Sequence, residues 1–312
     1  MLKKIRGSDS ATYAIATIIV GASYMEEWEM AVKRTWLCYC EKYDLELYVL
    51  VRPFETQRHD SIFFQKWLIP KFVGATNKNI ELVCYLDSDV IISYRAPNIF
   101  NQYCRSGIGV ISQQHLPFSV DVDILRRKIA LLRRAFVDSN FPLASSLTVR
   151  LPDVYGLSGF PPQADYACAG VFLSDTHSQA DFLSEAYFNF TLPKTKSLCG
   201  GEEVAFNALI QRSSMAHWID YEWQALWLFE VAEYYPFLYA SKFDDPLQVT
   251  HCIESILQRV NFLHFAGSFE GRALRRYDVS LFSLDSVTER LLDDDSFCQS
   301  DRGPTGRYIF PD

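Results

Sequence analysis

Segments with the apolar pattern of strands alternate with segments with the pattern of helices along the first ninety residues of this 312-residue chain. Three short runs, Tyr13–Val20, Leu45–Val51 and Leu82–Leu86, have the length and apolar content of buried strands. Between them, Met25–Tyr43 and Ile62–Phe72 read as helices, the second broken near its proline. This order predicts an α/β fold with a central, mostly parallel sheet flanked by helices.

The third predicted strand ends in two carboxylates, Asp87 and Asp89, spaced Asp-x-Asp. In extended backbone, residues two apart point to the same side, so we expect both carboxylates to converge at the strand's carboxyl end. Ligands bind at that end of such sheets, and two oxygen donors there suit Mg²⁺ or Mn²⁺. Such a cation can neutralise a diphosphate leaving group. The same residues also fit a solvated Asp-Ser-Asp turn.

Three later segments carry candidate partners for this motif. Tyr166–Leu173 reads as a strand with small residues at its start, which would let a ligand approach the backbone closely. Glu202 and Glu203 follow two glycines and open a helix, where they either complement the helix dipole or supply a catalytic carboxylate. His264 ends an apolar run before a glycine turn, and it would become a metal ligand if it met the two aspartates.

The middle of the chain contains a basic helix followed by a proline-rich stretch. An apolar stripe over residues 122–136 predicts a helix whose basic residues cluster largely away from the stripe. That basic group comprises Arg126, Arg127, Lys128, Arg133 and Arg134. It is either a solvated surface or a site for an anionic acceptor or a membrane surface. Residues 140–163 contain four prolines and are predicted to form a long irregular loop.

Composition narrows the class of protein and its setting. A formal net charge of −8 argues against nucleic acid as a bulk partner. The eight cysteines are dispersed and show no zinc-site spacing. The first residues lack an apolar signal region, and the chain has no apolar run of about 18 residues that would span a membrane. We therefore expect a reduced, cytoplasmic setting without a transmembrane segment.

The order of these motifs is more specific than any one of them. An Asp-x-Asp strand, an Ala-Gly-Val strand, Gly-Glu-Glu with an asparagine five residues past its first glutamate, and His-x-x-Gly follow one another. This order resembles GT-A-fold glycosyltransferases, above all the retaining, metal-dependent glycogenin-like and bacterial lipooligosaccharide galactosyltransferase branches. The resemblance runs from about Tyr13 to Arg272. It implies a Rossmann-like sheet, a nucleoside-diphosphate sugar as donor (a UDP-sugar first), a glycan or glycolipid as acceptor, and Mn²⁺ or Mg²⁺.

The resemblance also assigns roles to individual residues. It implies that Asp87, Asp89 and His264 hold the metal, with Asp87 also near the donor ribose. It further implies an aromatic near the nucleotide base at Tyr24 and a cation near the donor at Lys66. Glu203 corresponds to the catalytic carboxylate and Glu202 to its supporting neighbour. Arg272 offers a cation for the diphosphate where the family's usual lysine is absent. The chain departs from the glycogenin-like pattern in three places. Cys168 replaces an asparagine, Glu202-Glu203 replaces Asp-Gln, and the lysine and tryptophan after His-x-x-Gly are absent.

One transferase domain over residues 1–284 follows from this resemblance, with a donor-binding half at about 8–110, an acceptor half at about 111–284, and an extension over 285–312. Two other functions stay open. A haloacid-dehalogenase-like phosphatase would use Asp87 as nucleophile, although its Asp-x-Asp normally follows the first strand. A carbohydrate-binding protein with a degenerate transferase fold would lack catalysis. Metal-dependent hydrolysis of a nucleotide sugar discriminates among the three functions.

Overall fold

A computed structural model describes residues 1–56, 61–103, 106–143, 146–189, 201–267 and 269–277. The predicted extension over residues 285–312 and the first glycine of the Gly-Gly-Glu-Glu segment, Gly200, lie outside these ranges. Cys104, Cys199 and Cys298 lie outside them as well.

The described strands, in chain order, are β1 (Leu2–Arg6), β2 (Tyr13–Ile18), β3 (Glu46–Leu50), β4 (Leu82–Leu86), β5 (Val90–Ile92), β6 (Ile108–Ser112), β7 (Ala167–Asp175), β8 (Ala216–Ile219), β9 (Ala225–Leu226) and β10 (Phe262–His264). The described α-helices are α1 (Ala22–Ala31), α2 (Lys33–Lys42), α3 (Ile69–Thr76), α4 (Val122–Phe136), α5 (Leu151–Leu157), α6 (Ser178–Asn189), α7 (Glu202–Arg212), α8 (Trp227–Tyr234), α9 (Phe237–Ala240) and α10 (Pro246–Leu257). Short 3₁₀ helices span Ile62–Leu68, Ile99–Gln102, Ser146–Thr148, Tyr221–Trp223 and Glu270–Arg276.

Seven of these strands form a central sheet in the order β1-β3-β2-β4-β7-β6-β8. The α/β class and the helix-flanked central sheet are confirmed, and β2 pairs in parallel with both β3 and β4 as predicted. Five of the seven strands share one direction, so the sheet is mostly parallel as predicted, while β1 runs antiparallel to β3 and β7 runs antiparallel to β4 and to β6. The connection from β6 to β7 begins and ends at one end of the sheet, where Ser112 pairs with Ala167, so the chain returns instead of crossing over. The predicted boundary near residue 110 falls within β6.

Both faces of the sheet are covered by apolar side chains. Successive residues of β3 alternate between two clusters, with Leu47 in one and Tyr48 in the other. Trp28 and Trp36, from α1 and α2, pack in the first cluster, and Trp67 packs in the second. Burial on both faces explains why the strands read as continuous apolar runs. Within the described ranges, no helix has the length and apolarity needed to cross a bilayer.

Three predicted segments differ from the structure in their local form. The helix predicted over 25–43 forms two helices, α1 and α2, which meet at Val32. The segment predicted as a helix over 62–72 is a 3₁₀ helix followed by α3, and Pro70 lies in the first turn of α3, where its missing N–H costs no hydrogen bond. The predicted irregular loop over 140–163 contains α5, and Pro152 occupies the same kind of position there.

A small second sheet pairs β5, which follows the Asp-x-Asp motif, with β10, which ends in His264. Its strands lie in the order β5-β10-β9. His264 pairs with Val90 of β5 on one side and with Leu226 of β9 on the other. The backbone N–H of Phe265 donates to the Asp89 carbonyl over 3.0 Å, which extends this pairing to the motif itself.

Candidate active site

Asp87, Asp89 and His264 lie together at the carboxyl end of β4. The His264 Nε2 atom is 3.2 Å from Asp89 Oδ1 and 3.8 Å from Asp87 Oδ2. One ligand atom from each of the three residues lies within 4.8 Å of the others. The carboxylates do not converge through extended backbone, as the sequence suggested, because Ser88 and Asp89 form a turn between β4 and β5. Two oxygens and an imidazole nitrogen form a donor set that suits Mn²⁺ or Mg²⁺.

Gly170 of β7 makes room for this cluster. The Asp87 backbone N–H donates to the Gly170 carbonyl over 2.8 Å, so β7 passes directly beside the aspartate. A Cβ atom on Gly170 would lie 2.8 Å from His264 Nδ1 and 2.9 Å from Asp87 Oδ2. The expectation that small residues at the start of this strand admit a ligand stays a prediction, and at Gly170 the missing side chain admits the cluster's own side chains. The space beside it contains the histidine ring and the aspartate carboxylate.

Charge in the cluster is balanced between His264 and Asp89. Burial alone lowers the pKa of His264, but the Asp89 carboxylate outweighs it and raises that pKa well above its ordinary value. Burial likewise favours a raised pKa for Asp89, and the His264 ring outweighs it and lowers that pKa. The histidine is held beside its carboxylate as an ion pair, at a point where a divalent cation could take the place of the proton.

Lys66 is buried between the metal-binding candidates and the glutamates of α7. Its Nζ atom donates to the Ala169 carbonyl over 3.1 Å and lies 3.5 Å from Asp87 Oδ1 and 3.4 Å from Glu202 Oε1. Burial lowers the pKa of Lys66, but Asp87 and Glu202 outweigh it and raise that pKa. The Tyr85 hydroxyl donates to the same Asp87 oxygen over 2.7 Å. These contacts fix Asp87 in one orientation.

Glu202 and Glu203 begin α7 and project into the same cleft. Burial raises the pKa of Glu202, opposed by the neighbouring Lys66 ammonium. The helix is tied to β7 by Asn207, whose side chain exchanges two hydrogen bonds with the Ala167 backbone over 2.6 and 2.8 Å. The asparagine that the sequence motif singled out therefore fixes the position of the glutamates relative to the sheet.

A cleft of about 930 Å³ joins all the predicted site residues: Tyr24, Lys66, Asp87, Asp89, Glu202, Glu203, His264 and Arg272. Tyr24 lies in the first turn of α1 and is 59% exposed. The Arg272 guanidinium is exposed and lies 4.2 Å from the centre of the Phe269 ring, and no carboxylate in the described ranges lies within 4.0 Å of it. Tyr24 and Arg272 are thus available to a ligand at the surface of the cleft.

Residues that the sequence did not single out also line or support the cleft. Arg275 and Arg276 line it and form ion pairs with Glu27 and Asp244 over 3.2 and 3.3 Å. Gln224 is buried behind His264, with its amide 3.0 Å from the ring Nδ1 atom. The sequence carries no sign of Gln224, because it lies forty residues before His264, in an unremarkable apolar stretch.

Three basic side chains of α4 contact other parts of the fold, although the sequence predicted that they form one surface cluster. Arg133 forms an ion pair with Glu270, which is fully buried, and so ties α4 to the 3₁₀ helix that carries Arg272. Arg126 is buried and donates to the Val149 carbonyl over 2.8 Å, and Lys128 pairs with a glutamate of α8 over 3.2 Å. These three basic residues serve the fold. Arg127 and Arg134 remain on the exposed face.

No protein-family model and no curated protein matches this sequence. Among solved structures, it is similar to a glycosyltransferase involved in the glycosylation of the major capsid of PBCV-1, with 9% identity and a TM-score of 0.49, over 85% of this chain and 98% of that chain. The bifunctional glycosyltransferase WbbM gives 9% identity and a TM-score of 0.46, over 92% of this chain and 52% of WbbM. The galactosyltransferase LgtC gives 14% identity and a TM-score of 0.42, over 81% and 87% of the two chains. Each of these three proteins is described as a glycosyltransferase or a galactosyltransferase.

Proposed function

We propose that this protein transfers a sugar from a nucleoside-diphosphate sugar to a hydroxyl of a glycan or glycolipid in a metal-dependent reaction. A UDP-sugar is the first donor to test. The observation that carries the proposal is the shared cleft, where Asp87, Asp89 and His264 form a hard-cation donor set beside two carboxylates on α7. Sugar transfer needs both parts in one place, because the diphosphate leaves with negative charge while positive charge develops on the sugar.

On the leaving-group side, positive charge is required as the anomeric C–O bond breaks. A divalent cation bound by Asp87, Asp89 and His264 would neutralise the diphosphate. Arg272 is exposed in the same cleft and would add a second positive charge on the diphosphate oxygens. Lys66 is buried against Asp87, and its first role in this proposal is to hold that carboxylate in place while remaining close to the donor.

On the sugar side, Glu203 is the candidate catalytic carboxylate. The Glu202 carboxylate pairs with the Lys66 ammonium over 3.4 Å. In the described ranges, no basic side chain lies within 4.0 Å of the Glu203 carboxylate. Glu203 can therefore stabilise an oxocarbenium-like centre or attack it, which corresponds to retention at the anomeric carbon. On the acceptor side of the sugar, the same carboxylate would act as a general base for an inverting reaction.

The acceptor and the setting are part of the proposal. The exposed face of α4 combines Ile124 and Leu131, each 56% exposed, with Arg127 and Arg134. Apolar and basic side chains on one helix face suit an anionic membrane surface that presents a glycolipid. Sedimentation with anionic vesicles, before and after replacing both arginines by serine, tests this contact. A cytoplasmic setting remains the expectation, and the cysteines found unpaired in the described ranges fit it.

The two alternatives fit the structure less well. A phosphatase of the haloacid dehalogenase class would need Asp87 free to attack phosphorus, yet Tyr85 and Lys66 both contact Asp87 Oδ1, and the motif follows β4 instead of the first strand. A binding protein without activity would not need a buried lysine held between the carboxylates of Asp87 and Glu202 in its cleft.

A screen of nucleotide sugars for metal-dependent hydrolysis tests the proposed function. Each donor is incubated with the protein and Mn²⁺, and release of the nucleoside diphosphate is measured with and without a chelator. We expect one donor to be cleaved only when the metal is present. Release of inorganic phosphate from phosphomonoesters, with no cleavage of any nucleotide sugar, would favour the phosphatase instead.

A further inference from the structure

The two ring nitrogens of His264 face different surroundings. Nε2 faces the carboxylates of Asp89 and Asp87 at 3.2 and 3.8 Å. Nδ1 faces the amide of Gln224 at 3.0 Å and the Cys168 sulfur at 3.7 Å. An imidazole that binds a cation through Nε2 carries its hydrogen on Nδ1, so Nδ1 then needs a hydrogen-bond acceptor.

Gln224 can supply that acceptor without any other atom moving. Its side chain is buried, and its Oε1 atom has no hydrogen-bond partner among the described residues while its Nε2 atom points at the ring. The oxygen and nitrogen of a side-chain amide are nearly equal in shape, so a half-turn of the amide places Oε1 at the 3.0 Å position. The Cys168 thiol is more distant and is a weak acceptor.

The backbone around Gln224 holds this contact in place. Gln224 ends the 3₁₀ helix Tyr221–Trp223, and its backbone N–H donates to the Tyr221 carbonyl over 2.9 Å. The next residues form β9, which pairs in parallel with β10, so Leu226 lies beside His264 in the register. The amide is therefore carried by the residue that precedes β9, and the ring by the last residue of the neighbouring strand β10.

We propose that Gln224 is a positioning residue, whose Oε1 accepts the Nδ1–H of His264 and so fixes Nε2 toward the cation. This inference rests on the proposed metal site. Partners of this kind behind a metal-binding histidine typically change metal affinity by about 10- to 100-fold when they are removed.

The test is the affinity of the full-length protein for Mn²⁺ alone, measured by calorimetry. Gln224→Met removes the acceptor and keeps the size of the side chain, and we expect Mn²⁺ to bind about 10- to 100-fold more weakly. Gln224→Glu keeps an acceptor oxygen, and we expect an affinity within a few-fold of the natural protein. Cys168→Ala is the matched control at the other Nδ1 neighbour, and it should leave the affinity nearly unchanged.

The possible results separate the inference from the proposed function. If the natural protein binds no Mn²⁺, the metal site itself is wrong. If it binds Mn²⁺ and Gln224→Met binds equally well, only the role of Gln224 is wrong. A loss in Gln224→Glu as large as that in Gln224→Met would also overturn it, because the ring would then need an N–H donor. If Gln224→Met fails to fold, Gln224→Leu, which also removes the acceptor, takes its place with the same expected loss of affinity.

Discussion

Gly170 lies so close to His264 that a methyl group on it would approach the ring Nδ1 atom to 2.8 Å. Gly170→Ala should therefore displace the ring or the neighbouring Asp87 carboxylate, and we expect Mn²⁺ affinity to fall at least about tenfold, in line with the cost of moving a metal ligand. Calorimetric titration measures this. Gly156→Ala is the control, since nothing lies within 4 Å of its Cβ position in α5, and it should bind Mn²⁺ normally. Equal affinities in the two variants would contradict this account of Gly170.

Arg133 should matter for stability and not for the acceptor. Arg133→Ser leaves the Glu270 carboxylate buried without its cation, which typically costs about 3–5 kcal/mol of unfolding free energy. Arg134→Ser, one residue along on the exposed face, should change that free energy by less than about 0.5 kcal/mol. Urea unfolding of both variants checks the pair. Equal unfolding free energies of the two variants would contradict the structural role of Arg133 and support the surface role that the sequence suggested.

Glu46 should make the fold sensitive to acid. Burial favours a raised pKa for this carboxyl, but hydrogen bonds from Lys4, Tyr48 and Asn77 outweigh it and lower the pKa. The folded protein then binds this proton less readily than the unfolded chain, whose Glu pKa is about 4.3. The stability that Glu46 contributes is therefore present above that unfolded pKa and is lost as the pH falls through the folded pKa.

Unfolding of Glu46→Gln at several pH values tests this sign. We expect the variant to be about 1–3 kcal/mol less stable at pH 7, with a smaller further loss on acidification below about pH 5. Glu29→Gln, in which an exposed helix-surface pair is removed, should follow the natural protein. A pH profile of Glu46→Gln parallel to that of the natural protein would show that other groups set the acid sensitivity.

The sequence predicted β2, β3 and β4 because these strands are buried on both faces and read as apolar runs. An apolar run does not indicate the direction in which its strand lies in the sheet. The antiparallel pairing of β7 with β4 was therefore not predictable from its residues. Asp87, Asp89 and His264 could be proposed together only through the order of the motifs, because 175 residues separate Asp89 from His264. Gln224 could not be found, because its contact depends on the pairing of β9 with β10.

Two local sequence patterns, the basic cluster of α4 and the prolines over 140–163, predicted structures that tertiary packing overrides. A cluster of basic residues on a helix predicts a solvated surface. Arg133 instead forms an ion pair with Glu270, a buried acid from a distant segment of the chain. Pro152 suggested an irregular loop, yet a proline in the first turn of a helix is favourable, and α5 begins there. In both cases the local pattern permits two structures, and the tertiary environment selects one.

Glu203 should act on bond breaking and not on donor binding. Glu203→Gln keeps the size and polarity of the side chain and removes its charge, so we expect donor cleavage to slow by orders of magnitude while donor affinity changes little. Glu202→Gln, at the neighbouring carboxylate held by Lys66, is the comparison variant. NMR of the product's anomeric carbon measures retention. Near-normal turnover of Glu203→Gln would exclude it as nucleophile, and an inverted product would overturn the retaining mechanism.

The central claim is that Asp87, Asp89 and His264 bind the cation that supports cleavage of a nucleotide sugar. The most direct measurement is nucleoside-diphosphate release from the donor selected by the screen, with Mn²⁺ or with chelator, in the natural protein and in Asp89→Ala. We predict release that needs Mn²⁺ and falls by at least about a hundredfold in Asp89→Ala, because several kcal/mol of charge stabilisation are lost. Full release in the presence of chelator, or an Asp89→Ala variant as active as the natural protein, would contradict the claim.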